Sequence, residues 1–524
     1  MSKNEIYDAI VVGSGASGGW AAKELTERGL KVLLLDAGPV SNRSAAQDAL
    51  VQHDQDLAAR QPVQSRNRMY KAANRHLYVD DISNPYTCTS GTSFNWIRSR
   101  QLGGRTLLWP GNVLRMSDRE LQATARDGYG DPWPIAYEDI APYYDRVERF
   151  LHVIGPTEDI PLLPGGRFRT APRPTAAFHW MKEQLAREWP ALHLTHTPFV
   201  PKIPVGNEMP TWDPQRSNQT SLHTTIAAAE RTGRLNIRPD SVVRQIEMDS
   251  GGNRAKGIVF LDRKTNALHL VVGRTILLCA SALESVRILL NSADTRHPAG
   301  LGNSSGFLGR CLMDHFGGTR LNAQGTLPES TRQGGNDVTY YERIYIPAFQ
   351  IVENSGANFI RGYGVQGILA RMGTQAMLSL EVFGETLPRA GNGVRLNHSV
   401  LDDWGIPTLE IDFAYAENEL EMSRHADAFV SRIMDIIGFK TYKAQRDLLA
   451  PGTRAHEIGG ARMGSDASKS VLNRFNQLWE APNVFVLDGA SFVSAGCQNP
   501  TLTIMALAVR ACDFLAEELG RGNL

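Results

Sequence analysis

Residues 7–38 read YDAIVVGSGASGGWAAKELTERGLKVLLLDAG, and the order of parts in that stretch decides the fold. Tyr7 to Val12 form an apolar, β-branched run that predicts a buried strand. It ends directly in Gly13-Ser14-Gly15-Ala16-Ser17-Gly18, the turn that opens a helix in a dinucleotide-binding βαβ unit. The glycines serve different ends, since Gly13 permits a tight turn, Gly15 lets backbone approach a diphosphate, and Gly18 lets the helix lie close on the strand. The helix that follows, with Ala21, Ala22 and Leu25 on one side and Gly29 as its C-terminal stop, aims its N-terminal N–H groups at that anion. A second strand, Lys31 to Leu35, then delivers Asp36, with Ala37 beside it, as the acceptor for two ribose hydroxyls. The loop does not by itself choose between FAD and NAD.

Composition bounds the class. With 524 residues, 42% apolar and 8% aromatic, the chain is long enough for more than one globular domain. Lysine plus arginine equals aspartate plus glutamate at 55 each, so nothing in the charge favours nucleic acid or an anionic membrane surface. The apolar stretch Thr275 to Leu290 is interrupted by Glu284 and Arg287 and reads as a strand turning into a helix, not a membrane span. Cys88, Cys279, Cys311, Cys497 and Cys512 lack CxxC spacing and read as reduced thiols, with no metal site. The opening MSKNEIYD leaves no room for a secretory leader before the first strand, which predicts a cytoplasmic enzyme.

The far end carries a second group of signals. Asn483 to Leu487 predict a buried strand ending at Asp488-Gly489, and Pro500 to Leu519 predict an apolar-faced helix with proline at its first position. Asn499 is then either the N-cap of that helix or a residue of a site. His456, in HEIGGARMG, is one of 13 histidines and is open to the same two readings.

Five segments in order resemble the glucose-methanol-choline (GMC) oxidoreductases over nearly the full length, and within them the branch of pyranose oxidases, glucoside 3-dehydrogenases and bacterial C-glycoside 3-oxidases. They are the N-terminal loop with Asp36, LGGRTLLWPGNVLRM at 102–116, ASALESVRILL at 280–290, HEIGGARMG at 456–464 and VLDGASFVSAGCQNPTLTIMALA at 486–508. The resemblance implies an α/β fold: a Rossmann-like FAD-binding domain (1–155, 215–315 and 450–524) interlaced with a smaller α+β substrate domain on an antiparallel sheet (156–214 and 316–449). It implies catalytic roles for His456 as base and Asn499 as its partner on the substrate oxygen. The FAD site it implies takes Gly13, Ser14, Gly15, Ala16, Ser17, Gly18, Asp36 and Ala37; Gly104, Thr106, Trp109, Gly111 and Asn112; Val243 and Ala280; and Asp488, Gly489, Asn499 and Thr501. Relatives with a covalently linked flavin carry histidine after the double glycine, whereas here the segment is Thr106-Leu107-Leu108-Trp109, so FAD is expected without a covalent bond.

The chemistry suits those residue types. Hydride leaves a secondary alcohol for the flavin more readily if the O–H proton moves to a base, which a histidine near its ordinary pKa can serve as. A neutral asparagine can hold the same oxygen without competing for the proton. The expected reaction is oxidation of a ring secondary alcohol of a pyranose or glycoside, at the second or third carbon, with C-glycoside 3-oxidation favoured because those relatives also lack the linking histidine. Oxygen, a quinone or a partner protein then takes the electrons, and a homo-oligomer is possible. A GMC enzyme of a non-sugar alcohol, a non-catalytic FAD-binding subunit and an NAD(P)-dependent reductase remain open alternatives.

Between these ends, residues 39–90 read as loops and short helices over the cofactor, a helix begun by Pro142 is expected near 131–150, and a proline-rich connection runs from Gly155 to Pro174. Residues 235–288 alternate as strands, with Val242 and Val243 beside the adenine by analogy to the family. Tyr341, Arg343, Tyr345, Phe349 and Ile351 alternate at strand spacing, and Tyr340, Tyr341, Arg343, Tyr345, Phe349, Arg361 and Tyr363 are candidate sugar contacts or sheet packing. A helix over 415–437 packs outside that sheet.

Overall fold

A computed structural model describes residues 6–40, 54–156, 158, 160, 163–170, 174–201, 219–331, 340–349, 356–372 and 374–524. The expected connection Gly155 to Pro174 lies partly outside the described residues, as do the side chain of Tyr340 and Ile351.

Strand Ile6–Val12 is buried beyond its first residues and lies parallel to Val32–Leu35 on one side and Leu268–Leu278 on the other, pairing Ala9 with Val32 and Ile10 with Ile276. Near-continuous apolar runs suit strands covered on both faces. Leu235–Arg238 adds parallel to Val32–Leu35. The outer edge of Leu268–Leu278 is shared: its first half pairs antiparallel with Ala255–Asp262, and its last residues pair parallel with Val484–Val486 near the other end of the chain. With Ser241–Met248 the sheet has seven strands. Helix Ala16–Glu27 packs on it and against the closing helix Thr501–Arg521, which also packs on helix Tyr137–Phe150. Gly29, at φ +85°, ends the first helix: its N–H donates to Thr26 O and that of Leu30 to Leu25 O, so two orphan carbonyls are satisfied.

A second, six-stranded antiparallel sheet runs in the order Lys440–Gln445, Arg320–Thr326, Gln375–Gly384, Tyr363–Met372, Tyr340–Ile346, Thr195–His196. Helices Ala176–Glu188 and Glu417–Ile436 cover one of its faces through Phe178, Met181, Met422, Phe429 and Ile433, forming a core separate from that of the parallel sheet. Among the described residues no helix is long and apolar enough to cross a membrane.

Three expected boundaries move, each for a local reason. Helix Tyr137–Phe150 begins five residues before Pro142, because Asp139 accepts the Ala136 N–H (2.9 Å) and the first-turn acids set the start. The closing helix begins at Thr501, with Pro500 as its cap and no side-chain capping bond. Phe349 falls outside its expected strand, which stops at Ile346 because Pro347 has no N–H for the ladder.

Candidate active site

The carboxyl ends of the parallel strands open on a cavity of about 320 Å³, whose floor is the N-terminal loop and whose far walls are residues 96–112 and 454–457 and the start of the closing helix. That size is within the range of small-molecule sites. Gly13 sits at φ +99°, and a Cβ there would stand 2.4 Å from the Cys279 carbonyl oxygen. At Gly18 a Cβ would be 1.8 Å from Gly13 O, so the helix can lie on its strand only without a side chain at that position. A Cβ on Gly15 meets nothing within 4 Å, because its free side faces the cavity. Asp36 stands at the end of its strand with Oδ2 accepting the Ser14 N–H (3.0 Å) and the Ser14 hydroxyl, and Oδ1 accepting the Gly38 N–H (2.8 Å). Burial pushes its carboxyl upward and these hydrogen bonds pull the other way.

The opposite wall holds His456. Its segment is stitched in place by backbone bonds from Gly459 N–H to Gly489 O and from Ala461 N–H to Ala490 O, and by a reciprocal pair between Ile458 and Met313. Asp314 fixes the approach: Oδ1 accepts the N–H groups of His315 (2.9 Å) and His456 (3.0 Å), and Oδ2 accepts that of Gly452 (2.8 Å). Burial and the charge of Glu457 push Asp314 up to about 7 against those three donors. His456 Nδ1 lies 2.9 Å from His315 Nδ1, and His456 Nε2 lies 3.4 Å from Asn499 Nδ2. Asn499 Oδ1 accepts a 2.5 Å bond from Gln366 Nε2, so its amide is turned off the helix it precedes and onto the histidine. The ring of Phe383 lies 5.9 Å from that of His456, with the Arg454 guanidinium over it. Burial first, then the neighbouring His315, Arg454 and Arg105, hold the His456 imidazolium well below the ordinary histidine range, lower than its residue type alone suggests.

Of the sequence-predicted site residues, Gly13, Ser14, Gly15, Ala16, Ser17, Asp36, Ala37, Gly104, Thr106, Trp109, Asn112, Val243, Ala280, Asp488, Gly489, Thr501, His456 and Asn499 line this one cavity. Gly18 and Gly111 stand behind the lining, the latter turned towards Gln219 Oε1 and Val200 O. Asp488 accepts from Ser285 Oγ (2.5 Å) and Ala490 N–H (3.0 Å), and burial pushes it to about 6. Cys497 is buried beside Glu120, away from the cavity. None of the described candidate sugar contacts lines the cavity. Tyr345 donates to Gln498 Oε1 (2.9 Å), Tyr363 meets His425 Nδ1 (2.8 Å), Arg361 pairs with Asp127 and Glu385, and Phe349 is buried. Tyr341 is 70% exposed. Arg343 donates to Asn112 Oδ1 (2.6 Å) and Pro110 O (2.9 Å). Sequence reasoning missed Gln366 and His315, whose partners Asn499 and His456 lie 133 and 141 positions away.

The description "FAD binding domain" matches residues 8–308 and "GMC oxidoreductase" matches residues 388–508. The chain is a GMC oxidoreductase. Among proteins similar to this GMC enzyme, 2-methyl-1,2-propanediol dehydrogenase of Mycolicibacterium austroafricanum is 27% identical over 97% of this chain and 95% of that protein. The fructose dehydrogenase large subunit of Gluconobacter japonicus is 26% identical over 98% of each. A C-glycoside 3-oxidase of Arthrobacter globiformis is 26% identical over 53% of each. The solved structure of pyridoxine 4-oxidase from Mesorbium loti shares the fold, with TM-score 0.61 and 19% identity over 98% of this chain and 99% of that one.

The protein is therefore an FAD-dependent oxidoreductase acting on CH–OH groups. Its residues fit that cofactor. The Gly15 side of the loop is an open cradle for a diphosphate, and Ser99 Oγ, Arg100 Nη1 and Trp109 Nε1 are buried along the cavity without hydrogen-bond partners among the described residues. Such groups are costly unless a bound molecule completes them.

Proposed function

We propose that this GMC enzyme oxidises a ring secondary alcohol of a pyranose or glycoside to the ketone, at the second or third carbon, with 3-oxidation of C-glycosides the favoured case. The observation that carries the reading is the Asn499 amide standing 3.4 Å from His456 Nε2 inside the cavity that the glycine loop floors. An alcohol oxygen entering between them can donate its proton to Nε2 while accepting from Nδ2, which orients the C–H bond. Bound FAD supplies the hydride acceptor, held by the loop, Asp36 and the 104–112 segment without a covalent link. His456, kept neutral by its burial, is ready to take the proton. The discontinuous division into 1–155, 215–315 and 450–524 for the cofactor and 156–214 and 316–449 for the substrate accompanies this reading, as does reoxidation by oxygen, a quinone or a partner protein. A cytoplasmic setting, where thiols stay reduced, is part of the same proposal.

The similarity to fructose dehydrogenase and to C-glycoside 3-oxidase supports a sugar substrate. The likeness to a propanediol dehydrogenase over nearly the full length favours one second reading, a small non-sugar alcohol. Anaerobic bleaching of the flavin by a panel of monosaccharides, O- and C-glycosides and diols, followed by NMR of the product, decides between them. Bleaching by glycosides with a ring ketone product is expected. Bleaching by diols alone would overturn the sugar reading, and bleaching by none of them would overturn both.

A further inference from the structure

One hydrogen-bonded chain runs through the whole active site, and both of its ends have a fixed polarity. At one end stands Arg343, whose guanidinium can only donate. Burial lowers it only to about 10, so it is cationic at neutral pH. Its Nη1 donates to Asn112 Oδ1 (2.6 Å), which leaves Asn112 Nδ2 to donate to Gln366 Oε1 (2.9 Å). Gln366 Nε2 must then donate to Asn499 Oδ1 (2.5 Å), and Asn499 Nδ2 faces His456 Nε2 (3.4 Å). At the other end stands the Gly496 carbonyl, which can only accept. It takes the His315 Nε2–H (2.9 Å), so a neutral His315 presents its Nδ1 lone pair to His456 Nδ1 (2.9 Å). That nitrogen must carry the hydrogen.

We infer that this chain fixes the proton on His456: counted from either end, the imidazole is the Nδ1–H tautomer with its Nε2 lone pair turned to the substrate oxygen. Arg343, Asn112, Gln366 and His315 are thereby positioning residues, acting on the reaction through Asn499 and His456 without touching the alcohol. The chain also gives the Asn499 amide one orientation, N–H towards the reacting oxygen. Without these anchors the imidazole can place its hydrogen on Nε2, where it blocks proton transfer from the hydroxyl. The inference rests on His456 as base, but the tautomer is readable without turnover.

The test is ¹⁵N NMR of histidine-labelled holoenzyme at neutral pH without substrate, with His456 signals assigned by their loss in His456→Ala. A protonated, pyrrole-type Nδ1 and an unprotonated, pyridine-type Nε2 are expected; a pyrrole-type Nε2 would overturn the inference. Arg343→Met and His315→Leu should each shift the two signals towards their mean and slow flavin reduction by about 10- to 100-fold at saturating substrate, the usual scale for partners that orient a reactive ligand. His315→Gln, which can accept from Nδ1 and donate onward, should restore the wild-type pattern. If both disruptive variants are slow yet keep the wild-type signals, the residues merely support the fold and the inference fails. If the pattern is as expected but His456→Ala reduces its flavin normally, the chain stands and the assignment of the base falls instead.

Discussion

Two alanine substitutions in the N-terminal loop separate holding the fold from holding the cofactor. At Gly18 an added methyl would lie 1.8 Å from the Gly13 carbonyl oxygen, backbone against backbone, so the first helix must lift from its strand. Overpacking of that kind costs about 1–3 kcal/mol, and Gly18→Ala should lower the apoprotein's thermal midpoint and its affinity for FAD together. At Gly15 the methyl meets nothing within 4 Å, and the backbone (φ −71°, ψ −150°) is extended and open to alanine. Gly15→Ala should therefore change apoprotein stability by no more than about 1 kcal/mol, the scale of a helix N-cap change. The methyl does occupy the approach to the helix N-terminus. Losing one charge-assisted hydrogen bond to the diphosphate costs about 1.5–3 kcal/mol, or roughly 10- to 150-fold in Kd. Thermal melts of apoprotein and titration of flavin fluorescence measure both quantities. Wild-type FAD affinity in Gly15→Ala would falsify the placement of the diphosphate, and an undisturbed melt in Gly18→Ala would refute the packing argument.

Two further expectations follow from the buried charges. Because burial, His315, Arg454 and Arg105 disfavour the charged form of His456, the neutral base persists as pH falls through 6.5. Protonation of His456 should therefore slow flavin reduction only well below that pH, whereas Asp314, which accepts the His456 N–H, is pushed up to about 7; a stopped-flow profile whose acidic midpoint at or above 6.5 persists in Asp314→Asn contradicts this. Arg115 grips Glu148 with two bonds of 2.7 and 2.5 Å, and the Glu148 side chain is 0% exposed, so Glu148→Gln should destabilise the fold by about 3 kcal/mol, read from chemical denaturation; no change would show the pair to be dispensable.

Much of the fold was legible in the sequence because the signals were local. The run Tyr7 to Val12, the loop and Asp36 lie within one supersecondary unit, and the strands within 235–278 show as alternating runs parted by turns, the last of them passing into a helix through Ser281, which takes φ +82°. The site's wiring was not legible. Gln366 is one polar position in the mostly apolar strand Tyr363–Met372, and nothing in that run says that Asn112 and Asn499 flank it. The candidate sugar contacts show the same limit. Tyr341 and Tyr345 share a face of one strand, yet one is 70% exposed and the other 0%, because what lies across each end comes from distant segments. Asn499 was ambiguous for a physical reason as well: an asparagine before Pro-Thr is a good helix cap, and only the position of Gln366 turns its side chain to the histidine.

The most direct test of the account is anaerobic stopped-flow reduction of the bound flavin by a substrate glycoside, in wild type and in His456→Ala with equal FAD content. The account predicts an unaltered oxidised flavin spectrum and a reduction rate lower by about 10²- to 10⁴-fold, the contribution of a positioned general base. A variant that retains its flavin and is reduced at the wild-type rate would contradict it.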